Sequence, residues 1–177
     1  TTLDFNGINY LKIDGRPGAT GGFVLGTNLI ISNATIAAPS VRFINEASNN
    51  SIIYTDLRAN NQTASGSAGA GVINFATTTG FNGNDNNIIR NCHIHENAGG
   101  NPLILISSIG TATTVATNND NNIVDSCDMY NFFHASLAST AVYVGANNNS
   151  WQINNNRFYQ QNALTYTSAV THRILWI

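Results

Sequence analysis

The sequence contains a repeated pattern in which an asparagine-rich turn is followed by a short stretch of alternating apolar and polar residues. The two clearest copies are NDNNIIRNCHIH at residues 84–95 and NDNNIVDSCDMY at residues 119–130. Weaker copies are SNNSIIYTDL at residues 48–57 and NNNSWQINNNRF at residues 147–158. A spacing of roughly 30–38 residues is typical of solenoids and propellers, in which each repeat stacks on its neighbours. The pattern therefore limits the chain to a few repeat architectures.

The composition favours strands over helices. Only 9% of the 177 residues are charged, against ~25% in an ordinary soluble domain. Asparagine, serine and threonine supply the polar character instead; asparagine favours turns, and threonine favours strands. Compact apolar stretches at residues 41–44, 72–75, 103–106, 141–144 and 173–177 alternate with the asparagine turns. Two or three short strands per repeat are too few for a propeller blade, which has about four. We therefore predict an all-β fold, a parallel β-helix.

Aligning the repeats predicts which residues stack along the axis of such a solenoid. Residues that are equivalent in successive repeats lie on neighbouring strands about 4.8 Å apart. Two inward apolar columns are predicted: Ile31, Ile52, Ile89, Val124 and Ile153, and Ile36, Leu57, Ile94, Met129 and Phe158. A column of small or polar residues lies between them: Ala34, Thr55, Cys92, Cys127 and Asn156. Stacking would bury a continuous core that no single repeat could bury alone.

The outward columns predict polar ladders on the surface. One holds Asp56, His93, Asp128 and Arg157, and the other holds Ser32, Ile53, Arg90, Asp125 and Asn154. Arg90 should therefore pair with Asp125, and Asp128 with Arg157, because opposite charges on adjacent strands attract. The side-chain amides of the asparagine turns should also hydrogen-bond to one another along the axis.

Several segments carry a resemblance to a known group of proteins. They are residues 6–18, 41–50, 83–87, 155–160 and 166–168, so the likeness extends over nearly the whole chain. The chain resembles the right-handed parallel β-helix repeat proteins found in secreted bacterial cell-surface proteins. The resemblance implies a right-handed solenoid of about five to six coils that forms one domain over residues 1–177. It also implies that the chain is a fragment of a large exported parent carrying a type IX secretion signal elsewhere. Pectate lyases and polygalacturonases share the same fold.

Three residues are candidates for catalysis: His93, Asp125 and Asp128. His93 and His95 alternate on one strand and should face the same way, with Asp128 one repeat above His93, an arrangement that suits acid–base chemistry. The alternative is a surface polar ladder that happens to include a histidine. No metal-ligand motif is present, so no metal site is predicted. We expect no cofactor; calcium is the one ion left open, and no motif supports it.

Tyr130 and Tyr159 are candidates for carbohydrate binding, because stacked aromatic rings can contact sugar rings. The alternative is that they pad a face of the solenoid or pack under a loop. Cys92 and Cys127 should stack inward in adjacent repeats, which favours two buried free thiols, since stacked side chains on parallel strands rarely reach disulfide geometry. Burial would also suppress thiolate formation.

The composition excludes some functions. The net charge is −2 with no basic cluster, which argues against a nucleic-acid partner. No apolar stretch reaches the ~18–20 residues of a membrane span. Two hypotheses remain. The first is a non-catalytic structural or adhesive module of the bacterial cell surface, secreted and able to contact polysaccharide, with flanking coils or domains of its parent chain as neighbours. The alternative is a polysaccharide lyase or glycoside hydrolase of the pectin-lyase-like fold.

Overall fold

The fold is all-β, with its strands arranged in stacked parallel sheets. The structure, a computed structural model, describes residues 1–161 and 163–177. With strands numbered in chain order, sheet A contains β1 (Leu3–Asn6), β4 (Val41–Ile44), β7 (Ile73–Phe75), β10 (Ile104–Ser108), β14 (Ser139–Val144) and β18 (His172–Trp176). Sheet B contains β2 (Lys12–Asp14), β5 (Ser51–Ile53), β8 (Ile88–Arg90), β12 (Ile123–Asp125) and β16 (Gln152–Asn154). Sheet C contains β3 (Ile30–Asn33), β6 (Asp56–Ala59), β9 (His93–His95), β13 (Asp128–Tyr130) and β17 (Arg157–Tyr159).

The chain visits the three sheets in a fixed order. It passes from sheet A to sheet B to sheet C and then returns to sheet A, one strand along. The strand pairs of the described residues are all parallel, as in the pairing of β5 with β8 and of β6 with β9. A small two-stranded sheet, β11 (Asn119–Asp120) and β15 (Asn148–Asn149), joins the later turns between sheets A and B. This topology confirms the predicted all-β parallel architecture and fits a parallel β-helix.

The core is a set of stacked side chains between the sheets. Strand residues alternate between the two faces of a sheet, so the middle residue of each three-residue strand of sheets B and C points inward. In sheet B, Ile52, Ile89 and Val124 are in register and fully buried. In sheet C, Leu57, Ile94 and Met129 are likewise in register and fully buried. Sheet A adds a stack of phenylalanines whose rings lie 4.7 Å (Phe5–Phe43) and 4.6 Å (Phe43–Phe75) apart.

The predicted columns are wrong in the first repeat. Ile31 lies in sheet C, in register with Leu57, and the first member of the sheet B column is Ile13. Ile36 is 65% exposed and lies outside any strand. Ala34 and Ser32 are also exposed and leave their predicted columns. The reason is a long loop, residues 15–29, between β2 and β3, where later repeats have a two-residue turn. Residues 23–25 are part of this loop.

The asparagine turns stack as predicted. Asn50 Nδ2 donates to Asn87 Oδ1 (3.0 Å), and Asn87 Nδ2 donates to Asn122 Oδ1 (3.1 Å). A second ladder runs beside the first, in which Asn84 Nδ2 donates to Asn119 Oδ1 (3.0 Å). All five side chains are buried, so these bonds satisfy groups that would otherwise be desolvated without a partner. The ladders lock the register of successive repeats.

Candidate functional site

The outer face of sheet C carries a dense group of titratable and aromatic side chains. Its strands have an inward middle residue, so the first and third residues of each strand point outward. The first positions form the ladder Asp56, His93, Asp128 and Arg157, in register as predicted. The third positions form a second ladder of Arg58, His95, Tyr130 and Tyr159. Every predicted site residue except Asp125 lies on this face.

Asp56 is buried at the first-repeat end of the face, although the alignment predicted a surface position. Its side chain is 1% exposed and accepts a hydrogen bond from Arg58 Nε (2.9 Å). His95 Nε2 donates to the same carboxylate, to Oδ1, at 2.9 Å. Burial raises the pKa of Asp56, but the bonds from Arg58 and His95 outweigh it and lower the pKa to about 2. Asp56 is therefore ionised at all physiological pH values.

His95 is held between two carboxylates. Its Nδ1 lies 3.2 Å from Glu96 Oε2, on the opposite side of the ring from Asp56. Burial lowers the pKa of His95, but the hydrogen bonds to Asp56 and Glu96 prevail and raise the pKa above the usual histidine value. The ring of His95 also stacks on Tyr130 with centroids 4.4 Å apart. A protonated imidazole against an aromatic face is stabilised by a cation–π interaction.

His93, two residues away, has the opposite electrostatic character. Its Nε2 lies 3.4 Å from Asp128 Oδ2, and its ring stacks on Phe23 with centroids 3.7 Å apart. Burial lowers the pKa of His93, and the nearby Asp128 and Asp56 only partly oppose this. The Nδ1 atom of His93 is buried and has no hydrogen-bond partner among the described residues. His93 is thus a neutral imidazole with one unused ring nitrogen.

Asp128 is neutralised by Arg157 from the next repeat. Arg157 Nε donates to Asp128 Oδ1 at 2.6 Å, and its Nη2 donates to the second carboxylate oxygen. This bidentate geometry is the strongest form of carboxylate pairing. It confirms the predicted Asp128–Arg157 contact between neighbouring strands.

A cleft of about 290 Å³ opens beside His93. Its lining combines aromatic, amide and charged groups: Phe23, Tyr54, Asn91, Cys92, His93, Ser126, Asp128 and Arg157. The aromatic ring of Phe23 comes from the loop at residues 15–29, which folds over the outer face of sheet C. The cleft is large enough for a small polar group, such as one sugar unit.

Asp125 lies apart from this cleft, on the outer face of sheet B. Arg90 Nε donates to Asp125 Oδ2 (3.0 Å), which confirms that predicted pair, and Asn155 Nδ2 donates to Oδ1 (2.9 Å). Of the three candidate catalytic residues, His93 and Asp128 therefore lie together. Asp125 is instead bonded to Arg90 and Asn155 on another sheet.

The two candidate sugar-binding tyrosines stack on each other with ring centroids 4.9 Å apart and planes 15° apart. Tyr130 is only 4% exposed, enclosed by its stacking partners, and burial raises its pKa well above the usual tyrosine value. Tyr159 is half-buried and keeps part of its ring accessible. His95, Tyr130 and Tyr159 thus form one stack of rings on the outer face of sheet C, and Tyr159 is the accessible end of that stack.

Three members of the site escaped the sequence reasoning: Phe23, Arg58 and Glu96. Arg58 could have been found, because it follows Asp56 by two residues and shares the alternation that placed His95. Glu96 comes after the end of β9, and its return to His95 depends on the following turn. Nothing in the sequence indicated that Phe23 would reach this site, because it lies in a long loop without a periodic pattern.

The two cysteines are buried free thiols, as predicted. Burial raises the pKa of the Cys92 thiol well above its usual value, and its Sγ donates to backbone carbonyls such as that of Ile52 at 3.4 Å. Nothing in this arrangement activates a thiolate nucleophile.

Two further properties bear on function. Across residues 1–161 and 163–177, no three His, Cys, Asp or Glu side chains converge as ligands for a metal ion. The same part of the chain has no helix with the length and apolar character needed to cross a membrane.

Comparison with known protein families, with curated proteins and with solved structures found no match. The functional argument therefore comes from the geometry of the sheet C face.

Proposed function

We propose that this chain is a non-catalytic structural or adhesive module built as a right-handed parallel β-helix. The support for the solenoid is the repeated path through sheets A, B and C with parallel pairing throughout the described residues. The support for right-handed coiling is a general rule: about 98% of crossover connections between parallel strands of one sheet are right-handed. In this proposal the module is secreted and stands on the bacterial cell surface as a part of a longer parent chain exported by type IX secretion.

The observation that carries the proposal is that the charged groups on the outer face of sheet C are paired with each other. Asp56 is engaged by Arg58 and His95, and Asp128 is engaged by Arg157. A general acid or base must exchange a proton with a substrate at the operating pH. Carboxylates already bound by arginine and histidine side chains suit that task poorly. The Asp128–Arg157 and Asp56–His95 contacts instead join neighbouring strands. The ladders thus serve to stiffen the solenoid.

The same proposal includes contact with polysaccharide. Tyr159 offers an accessible ring backed by Tyr130, and Arg157 lies over Tyr159 with its guanidinium carbon 5.9 Å from the ring centroid. An aromatic surface edged by hydrogen-bond donors is a common way of holding a sugar ring. No metal or cofactor is needed for this contact.

A binding and turnover comparison tests the proposal. The protein is incubated with polygalacturonate, alginate and neutral glycans; affinity electrophoresis measures binding, and unsaturated products and new reducing ends measure cleavage. We expect retardation by at least one glycan with no cleavage, and weaker retardation of Tyr159→Ala. Cleavage that disappears in Asp128→Asn but persists in Asp125→Asn would overturn the non-catalytic function. Asp125 is the matched control because it is also an arginine-paired carboxylate.

One observation favours a second candidate, a polysaccharide lyase or glycoside hydrolase. His93 is neutral, lies 3.4 Å from Asp128 and keeps Nδ1 without a partner among the described residues beside the cleft. A neutral imidazole could accept a proton from a substrate once the buried Nδ1 becomes accessible from the cleft. The enzyme hypothesis predicts that the same assays detect cleavage and that His93→Gln abolishes it.

A further inference from the structure

The turn between sheets A and B contains an aromatic residue in a backbone conformation that aromatic residues avoid. At one equivalent position of this turn, every repeat has a residue with positive φ: Tyr10 (63°), Asn49 (60°), Asn86 (56°), Asn121 (56°) and Ser150 (55°). Asparagine tolerates this left-handed region because its short side chain can bond locally, whereas a bulky side chain is strained there. Tyr10 is therefore the exception in its column.

Tyr10 and Asn49 are structurally equivalent in the turn. Tyr10 N donates to Ser48 O (3.3 Å), and Asn49 N makes the same bond to Asp85 O (2.9 Å) one repeat later. Asparagine would thus satisfy the backbone at position 10 equally well. The tyrosine must be explained by its side chain and not by the turn.

Packing does not explain the Tyr10 side chain, because its ring is 80% exposed. Tyr54, another tyrosine with positive φ (52°), differs in this respect: the guanidinium of Arg16 lies 4.0 Å from its ring centroid. Strained residues concentrate at functional sites, so an exposed and strained tyrosine points towards a ligand.

A polar cleft of about 410 Å³ lies directly beside Tyr10. It spans the turns of the first three repeats and is lined by Asn9, Tyr10, Glu46, Ser48, Asn49, Asn82, Asp85 and Asn86. Glu46 is itself in the left-handed region (φ 67°), and its carboxylate is fixed by the backbone N–H groups of Phe81 (2.7 Å) and Asn82 (2.8 Å). The described lining contains two carboxylates and several amides but no lysine, arginine or histidine.

We propose that this cleft binds an uncharged saccharide, with one sugar ring stacked on Tyr10. Sugar hydroxyls can donate to the carboxylates of Glu46 and Asp85 and can both donate to and accept from the amides of Asn82 and Asn86. The two carboxylates would repel a uronate, sulfate or phosphate group, since no basic side chain of the lining compensates them. The site is separate from the face of sheet C and does not rest on the glycan contact proposed there.

The central experiment replaces Tyr10 by the residue that its column otherwise prefers. Wild type and Tyr10→Asn are titrated with neutral β-glucan, xylan and mannan oligosaccharides and with oligogalacturonate, using calorimetry and saturation-transfer NMR. We expect a neutral oligosaccharide to bind wild type and to shift the Tyr10 ring resonances. Tyr10→Asn should lose this binding while its unfolding temperature stays the same or rises. Tyr166→Ala, which removes an exposed tyrosine elsewhere, should bind like wild type.

Each of the other outcomes overturns the proposal. Absence of binding to every neutral oligosaccharide, or preference for oligogalacturonate, would contradict the assigned ligand class. Undiminished binding by Tyr10→Asn would contradict the site, and binding lost only in Tyr159→Ala would place the sugar on sheet C instead. A clear fall in the unfolding temperature of Tyr10→Asn, with no shift of the wild-type Tyr10 ring resonances, would show that Tyr10 has a structural role.

Discussion

His95 Nε2 donates a hydrogen bond to Asp56 Oδ1 across 2.9 Å, although the two residues are 39 positions apart in the chain. The bond joins two consecutive strands of sheet C within a largely buried pocket, where Arg58 completes the pairing of Asp56. Charges buried in this way are stable only while every partner is present.

Removing Asp56 should therefore destabilise the fold strongly. In Asp56→Ala, Arg58 and His95 lose their shared anion, and breaking a buried pair in this way costs about 3–5 kcal/mol. Asp4→Ala is the matched control: Asp4 also pairs with an arginine, Arg42, but their side chains are 36% and 34% exposed. That pair should contribute only about 0.2–1 kcal/mol. Urea unfolding of both variants measures the difference, and equal losses would contradict the role of burial.

The two histidines of β9 should give the stability opposite pH dependences. The pKa of His95 is raised in the folded state, so its contribution is complete below the unfolded value near 6.5 and is lost as pH rises through the higher folded pKa. The pKa of His93 is lowered, so its contribution is present above 6.5 and is lost as pH falls through the lower folded pKa.

Urea unfolding between pH 5 and 9 measures this for wild type, His95→Gln and His93→Gln. The stability advantage of wild type over His95→Gln should shrink as pH rises, and its advantage over His93→Gln should shrink as pH falls. Parallel curves for the two variants would refute the assigned ionisation states.

The buried asparagine ladder should be necessary for stability. In Asn87→Ala, the backbone N–H and the side-chain amide of Asn50 lose their acceptor, which lies 3.1 and 3.0 Å away. Leaving buried polar groups unpaired costs about 1–3 kcal/mol each. Asn154→Ala, at an exposed strand position, should stay within about 0.5 kcal/mol of wild type. Thermal unfolding compares the two, and a tolerated Asn87→Ala would mean that water replaces the lost side chain.

The thiols of Cys92 and Cys127 should be unreactive in the folded protein. Both are buried and free, so a thiol reagent should react with neither until denaturant is added and should then modify both. A reducing agent should leave the unfolding temperature unchanged. Rapid labelling of native protein, or a mass two hydrogens lower than that of the dithiol, would contradict this arrangement.

Much of the fold could be predicted because the repeat is a local pattern. Alternation with a period of two placed Ile52, Ile89 and Val124 in one inward column, and the asparagine turns set the register from the second repeat onward. The same alternation placed His93 and Asp128 side by side and paired Arg90 with Asp125. The chain's first repeat broke the alignment, because the loop at residues 15–29 interrupts the pattern that the prediction assumed.

From the second repeat onward, the sequence by itself determined the inward and outward columns and the partners of the ladders, since each depends on neighbouring residues and on a fixed spacing. Only the tertiary structure decided that Asp56 is buried, that Phe23 covers His93 and that Tyr10 stands exposed beside a polar cleft. These features depend on where loops return and on which surfaces they cover. Such contacts join distant residues without a periodic signal, and only the folded chain brings them together.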